Sequence, residues 1–421
     1  MENRLNKTSL DNGIRILTKN MPYAKSVSMG VWVDAGARDE RLEEGGLCHL
    51  IEHMIFKGTQ KRTAFEIAKA FDAIGGQTNA FTTMENTCYH ARVMDTHLET
   101  MVDILCDIFL NSSFQNSEYE KERPVILQEI GMLEDNPEDY IHVILGQAFW
   151  GEHPLGQSVL GSRENLLRFT SQDVKAFFRR FYQPDRIVIS AAGNISHDHF
   201  VSLVGPAFES IVHTNQFPER KPFLGRNRTT ICKRDLEQVH ICLGTRGLSM
   251  TDSRRFSFSL MNTVLGGNMS SRLFQEIREK RGLAYSVYSF MAAHVDTGMF
   301  GAYAAVDPKQ AIETIELILK EMRQLKDCII DADVLHDAKE YTKGNLLLAS
   351  ESVDNQMARL AQNEMHFGRY IPVSEVVDQV EQVTTRDICD VAVDLFQADP
   401  MAFALVGPVS DEKPFDQLRS L

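Results

Sequence analysis

From residue 65 to residue 109 the apolar positions switch from helical to strand spacing and back. Phe65 to Phe71 repeats as a helix does, and Gly75-Gly76 ends it. Gln77-Thr78-Asn79-Ala80-Phe81-Thr82 and then Thr87 to Val93 alternate as strands do. From Asp95 the helical spacing returns through Leu98, Val102, Leu105 and Phe109. The second half repeats the succession. Leu273 to Lys280 is helical, Gly282 ends it, and Leu283 to Tyr288 and Gly298 to Tyr303 are strand-like. A helix then begins near Asp307 and runs through Ile312, Ile315, Ile318 and Met322. The offset is roughly 210 residues, half of a 421-residue chain, which predicts duplication of one helix-and-strand unit. A polar stretch from His213 to Pro222, with two prolines, falls at the midpoint. The predicted domains are therefore 1–213 and 229–421, joined by a linker at 214–228.

Composition narrows the function classes. Hydrophobic residues at 43% and charged residues at 24% are ordinary for a soluble globular protein. A net charge of −14 argues against nucleic acid or an anionic membrane as the main partner. No apolar run approaches the ~20 residues that span a bilayer. Met1 to Lys7 shows no apolar export segment, so the expected location is cytoplasmic. The seven cysteines (Cys48, Cys88, Cys106, Cys232, Cys242, Cys328 and Cys389) are odd in number and hold no C-x-x-C pair. The expectation is free, mostly buried thiols in a reducing compartment.

The chemistry concentrates in Gly45-Gly46-Leu47-Cys48-His49-Leu50-Ile51-Glu52-His53. At about 100° per residue, His49 and His53 lie about 40° apart on a helix, with Glu52 about 60° to the other side. Two imidazoles on successive turns can share one Zn²⁺ and leave the carboxylate beside it, an H-x-x-E-H arrangement. The duplicate lacks this face: at an offset of 209, His49 maps to Phe258, Glu52 to Met261 and His53 to Asn262. One zinc per chain follows.

Catalytic zinc takes three protein ligands as a rule. The acidic, mostly helical stretch Ser117 to Asp135 offers Glu118, Glu120, Glu122, Glu129 and Glu134 for the third. Ser117 is the expected N-cap, and Pro124 is expected to kink the helix or break its first turns. Glu122 and Glu129 share a face but stand about 10 Å apart along the axis, so one of them at most reaches the same metal. Spacing alone does not choose.

His49-x-x-Glu52-His53, Ile126-Leu127-Gln128-Glu129-Ile130, and His153-Pro154-Leu155-Gly156 with Gly161 occur in this order. Together they resemble the pitrilysin/insulysin superfamily of zinc peptidases. Length and half-to-half layout look most like its mitochondrial processing peptidase-like branch, over nearly the whole chain. The resemblance implies an α+β, layered fold of two homologous halves, each a mainly antiparallel sheet flanked by helices, forming a clamshell. It implies Glu129 as third zinc ligand and Glu122 in an outer shell. Glu52 would act as general base, taking a proton from the attacking water and returning it to the leaving amine. Arg278 and Tyr285, in Arg278-Glu279-Lys280-Arg281-Gly282-Leu283-Ala284-Tyr285, match the family element that lends an arginine and a tyrosine to substrate and oxyanion. Asn79, Ala80, Phe81 and Thr82 match the strand whose free edge pairs with an extended peptide.

What the resemblance implies overall is a zinc metalloendopeptidase for short unfolded peptides or presequence-like segments, working in a closed chamber as a homodimer, with 213–228 as a hinge. The alternatives are a non-catalytic core or scaffold subunit and a peptide-binding protein of the same family. The chain departs from the pattern at Cys48, where relatives carry a small apolar residue, and at Pro124. It also departs at Val143, where an arginine-reading processing peptidase carries a second acid after Asp139. His197-Asp198-His199 after Ser196 reads as a capped helix start.

Overall fold

The protein is described by a computed structural model for residues 5–212, 217, 219–328, 330–397, 401–409, 411, 415 and 418. Among the described residues, eleven strands are β1 (5–9), β2 (15–20), β3 (26–33), β4 (77–82), β5 (87–94), β6 (187–193), β7 (229–233), β8 (239–247), β9 (284–293), β10 (298–306) and β11 (401–407). The helices of the first half are α1 (47–54), α2 (64–73), α3 (98–111), α4 (116–135), α5 (137–150), α6 (163–168), α7 (171–181) and α8 (197–208). Those of the second are α9 (255–266), α10 (311–326), α11 (332–349), α12 (353–367), α13 (373–382) and α14 (385–395).

Two sheets of one design result. The first runs β1-β2-β6-β3-β5-β4 and the second β7-β11-β8-β10-β9. Within each, a single parallel pair, β2/β6 or β11/β7, joins strands that are otherwise antiparallel. Without β1, the two orders and directions correspond strand for strand. The duplication predicted from periodicity is present in the topology.

The compact units are not the two contiguous halves. Unit 1 comprises 1–131, 158–220 and 348–370, and unit 2 comprises 132–157, 221–347 and 371–421. The reason is an exchange of helices. α5, from the first half of the chain, packs on β7, β8 and β11, while α12, from the second, packs on β2, β3 and β6. In unit 1 the far face of the sheet forms its own core, where Trp32, Val188 and Ala192 meet Val353, Met357 and Leu360 of α12. Gly30 makes this docking possible, because a Cβ there would stand 2.6 Å from Met357 Sδ. The near face packs Val27, Met29 and Val31 against α1, α3, α7 and α8. With both faces covered, β6 is buried along its whole length.

Several expectations are corrected. The helix carrying Glu129 begins at Asn116, and Tyr119 N–H donates to Gln115 O at 3.0 Å, so Ser117 lies inside the helix and is not its cap. Pro124 also lies within that helix, which runs unbroken to Asp135. Leu273 to Lys280 is largely a π-helix, Phe274–Glu279, closed by Leu283 N–H donating to Ile277 O at 2.9 Å. His197 does start a helix, though the Ser196 side chain makes no capping bond there. Cys328 and Cys389 form a disulfide with Cα atoms 5.1 Å apart, because α10 ends beside α14, so the seven thiols are not all free. Cys48, Cys88, Cys106 and Cys242 are free and buried. Of the linker, residues 214–216 and 218 lie outside the described residues. No helix among the described residues is long and apolar enough to cross a membrane.

Candidate metal centre

Eight residues make an isolated helix marginal, so α1 depends on what surrounds it. Leu47, Cys48, Leu50, Ile51 and Met54 are buried in the unit 1 core and leave His49, Glu52 and His53 on the other side. Gly46 opens the helix at φ +102°, a backbone region that side chains resist. Gly161 packs against that opening so closely that a Cβ would lie 2.3 Å from Gly45 O, which accounts for the glycine in the sequence motif. Glu40 closes the same end: its carboxylate accepts Gly46 N–H at 2.8 Å and Cys48 N–H at 2.6 Å. Burial pushes Glu40 up to about 8, against the pull of those two donors. Beside it, Arg220 forks onto Asp39 at 2.7 and 3.0 Å and reaches Asp34 at 2.8 Å.

On the open side of α1 three donors converge. Glu129 Oε2 lies 3.6 Å from His49 Nε2 and 3.4 Å from His53 Nε2. His49, His53 and Glu129 form the one group of potential metal ligands among the described residues, their ligand atoms all within 4.8 Å. Ligands about 2.0–2.1 Å from a tetrahedral ion stand about 3.3 Å apart, so this donor set fits zinc in both chemistry and spacing. Of the acids left open by spacing, Glu129 is the one that joins the histidines.

Glu122 sits one step further out. Its Oε1 is 2.8 Å from His53 Nδ1, and its Oε2 accepts from Lys57 Nζ at 2.6 Å. A carboxylate oxygen accepts, so Nδ1 carries the proton and the Nε2 lone pair is left for a metal. His49 Nδ1 is buried with no hydrogen-bond partner among the described residues. Burial, reinforced by His53, lowers His49 to about 4, which keeps it neutral. Burial pulls His53 down too, but Glu122, Glu129 and Glu52 outweigh it and raise the ring. Burial raises Glu52 against a hydrogen bond from Thr82. Glu122 is held low because its bonds to His53 and Lys57 outweigh burial.

The remaining predicted residues fall in two places. β4 is the outer strand of the first sheet; Asn79 and Phe81 are exposed, while Ala80 and Thr82 are half-buried. Ala80 N–H donates to Asn79 Oδ1 at 2.9 Å, and Phe81 stands edge-on to Trp32 at 5.5 Å. In unit 2, Arg278 stacks over Tyr285 at 4.6 Å and over Phe274 at 4.7 Å, and Tyr285 is 79% exposed on β9. Sequence reasoning missed Glu40 and Lys57. Lys57 was findable, standing four residues after His53, but nothing local marks a glutamate six residues before Gly46 as its partner.

A family model described as Insulinase (Peptidase family M16) matches residues 15–163, and one described as Peptidase M16 inactive domain matches 168–341. The chain is 40% identical over 405 residues to a Bacillus subtilis (strain 168) protein named Uncharacterized zinc protease YmxG, covering 96% of this chain and 98% of that one. It is 37% identical over 416 residues to a Streptomyces coelicolor protein named Uncharacterized zinc protease SCO5738, covering 97% and 90%. Among solved structures, a protease from Helicobacter pylori matches with TM-score 0.89 at 20% identity, covering 96% of this chain and 100% of that one. A peptidase M16 inactive domain from Pseudomonas fluorescens matches with TM-score 0.88 at 18% identity, covering 97% and 99%.

Proposed function

Since the chain belongs to peptidase family M16, with relatives named zinc proteases, we propose that it is a zinc metalloendopeptidase with one zinc per chain. The observation that carries this reading is the convergence of His49 Nε2, His53 Nε2 and Glu129 Oε2 around a space of zinc's size. When bound there, zinc would make a water acidic and polarise the scissile carbonyl.

The chain's own residues do the rest. His49 presents a neutral imidazole, and His53, oriented by Glu122 at Nδ1, turns Nε2 toward the metal position, with Lys57 balancing the charge of Glu122. Glu52, made more basic by burial, takes the water's proton and passes it to the leaving amine. The unpaired outer side of β4 supports pairing with an extended peptide through backbone groups, and so a preference for short unfolded or presequence-like segments. For that, Asn79 must release Ala80 N–H. Arg278 and Tyr285 are assigned to holding substrate and donating to the carbonyl oxygen, a role supported by their spacing and mutual stacking. A single chain carries the whole set, which favours a homodimer over pairing with an inactive partner.

The test is metal analysis of the wild type, Glu52→Gln and Glu129→Ala, each assayed with a quenched-fluorescent peptide library. Zinc and cleavage are expected in the wild type, zinc without cleavage in Glu52→Gln, and neither in Glu129→Ala. A metal-free wild type, or equal cleavage by all three, overturns the reading.

A further inference from the structure

Glu52 is tethered. Thr82 Oγ1 donates a 2.6 Å hydrogen bond to Glu52 Oε2, and Oε1 has no hydrogen-bond partner among the described residues. Thr82 closes β4, paired with Thr87 of β5, and alternation along the strand puts it on the half-buried side with Thr78 and Ala80. α1 packs over that end of the sheet.

We propose that Thr82 is a positioning residue for Glu52: its hydroxyl holds Oε2 and thereby presents Oε1 as the oxygen that accepts the proton from water. This rests on the reading of Glu52 as general base. A glutamate has three rotatable side-chain torsions, and a carboxylate that is free to turn is a poorly aimed base. A hydroxyl-to-carboxylate bond is short and charge-assisted, and it fixes one oxygen while leaving the other unoccupied. The proton ledger closes without Thr82 losing its own hydrogen. Water's proton goes to Oε1, Thr82 keeps donating to Oε2, and Oε1 later releases its proton to the amine.

The second unit also ties its outer strand to the corresponding helix, at other positions: the helix residue there is Asn262, the counterpart of His53, while the counterpart of Glu52 is Met261. Ser289 Oγ on β9 donates to Asn262 Oδ1 on α9 at 2.8 Å. The fold thus supplies a hydroxyl from the outer strand to the helix in both copies, and in unit 1 the receiving group is the carboxylate that does chemistry. Thr82 also belongs to the strand assigned to the peptide. One residue therefore links the docking edge to the aim of the base.

The experiment compares Thr82→Val, Thr82→Ser and Glu52→Gln in the full-length zinc-loaded protein, by steady-state kinetics on cleaved library peptides and by metal content. Thr82→Val is expected to lower kcat about 10–100-fold, the range for a lost outer partner, with full zinc content. KM is expected to stay within about twofold, and Thr82→Ser within about threefold of wild-type kcat. Wild-type kcat in Thr82→Val, a loss confined to KM, loss of zinc, or a Thr82→Ser variant as slow as Thr82→Val each overturns the proposal. Glu52→Gln separates the two claims. If it is inactive while Thr82→Val is normal, only the positioning role fails; if it cleaves normally, or the wild type cleaves nothing, the base assignment fails and the positioning role with it.

Discussion

α1 and α9 are the same helix in two copies of one unit, and they are spent differently. In α1 one side is buried and the other presents His49, Glu52 and His53. In α9 the corresponding Phe258 and Met261 are buried at 3% and 0% exposure, inside the unit 2 core, and Asn262 bonds Ser289. Polar groups at the metal centre cost packing and need partners to remain neutral or paired; Glu122, Lys57 and Thr82 supply them. In α9 the positions of His49 and Glu52 belong to the hydrophobic core instead. A site is a place where a fold accepts a worse core for chemistry.

That contrast can be broken from either side. The largest effect is expected from Glu52→Gln, about 10²–10⁴-fold in kcat with zinc retained. Its mirror image, Met261→Glu in the second copy, should gain no zinc and lose about 4 kcal/mol or more in urea denaturation, because it buries an unpaired charge. Phe258→Ala should cost about 3–5 kcal/mol of stability and leave zinc affinity unchanged in a chelator competition. Equal damage to zinc affinity would show that α9 serves the centre after all. Glu129→Ala should weaken zinc by more than the about 100-fold that bounds the loss of an outer partner. Glu122→Gln should weaken it about 10–100-fold and Lys57→Ala toward the lower end, by the same competition.

The contrast can also be read in pH. In chelator-treated protein, proton NMR should find His49 titrating at about 4 and His53 above 6.5. A histidine lowered by folding is protonated first in the unfolded chain. The contribution of His49 is therefore present above about pH 6.5 and is lost toward about pH 4, at about 1 kcal/mol per pH unit. His53, raised by folding, contributes in full below 6.5 and does not change in that window. A single shared midpoint for both rings would break the assignment of unequal surroundings.

What could be read from the chain divides by range. Periods of two and near four are local, so the strands β4 and β5 and the helices α3 and α10 were visible as patterns, as was the shared face of His49, Glu52 and His53. Glu129 became distinguishable from Glu122 only through resemblance, since both lie on one face of one helix and the choice depends on where α4 crosses α1. The bond from Thr82 to Glu52 spans thirty residues and no spacing rule announces it. The pairing of Cys328 with Cys389 depends on the end of α10 lying against the middle of α14, which an odd, scattered count of cysteines does not reveal. The π-helix near Arg278 and the unbroken path through Pro124 are cases where surroundings override the local preference.

The exchange of α5 and α12 has a consequence for dissection. A cut in the linker would sever the backbone without yielding two self-sufficient fragments. A piece ending at residue 213 would carry α5 without the sheet it covers, and would leave Trp32, Val188 and Ala192 uncovered where α12 belongs. Separately expressed halves would each expose an apolar sheet face until they found the other, and would reassemble by trading helices. Such mutual lending is what two identical chains achieve when they swap a segment before fusion. Here the exchange is made within one polypeptide.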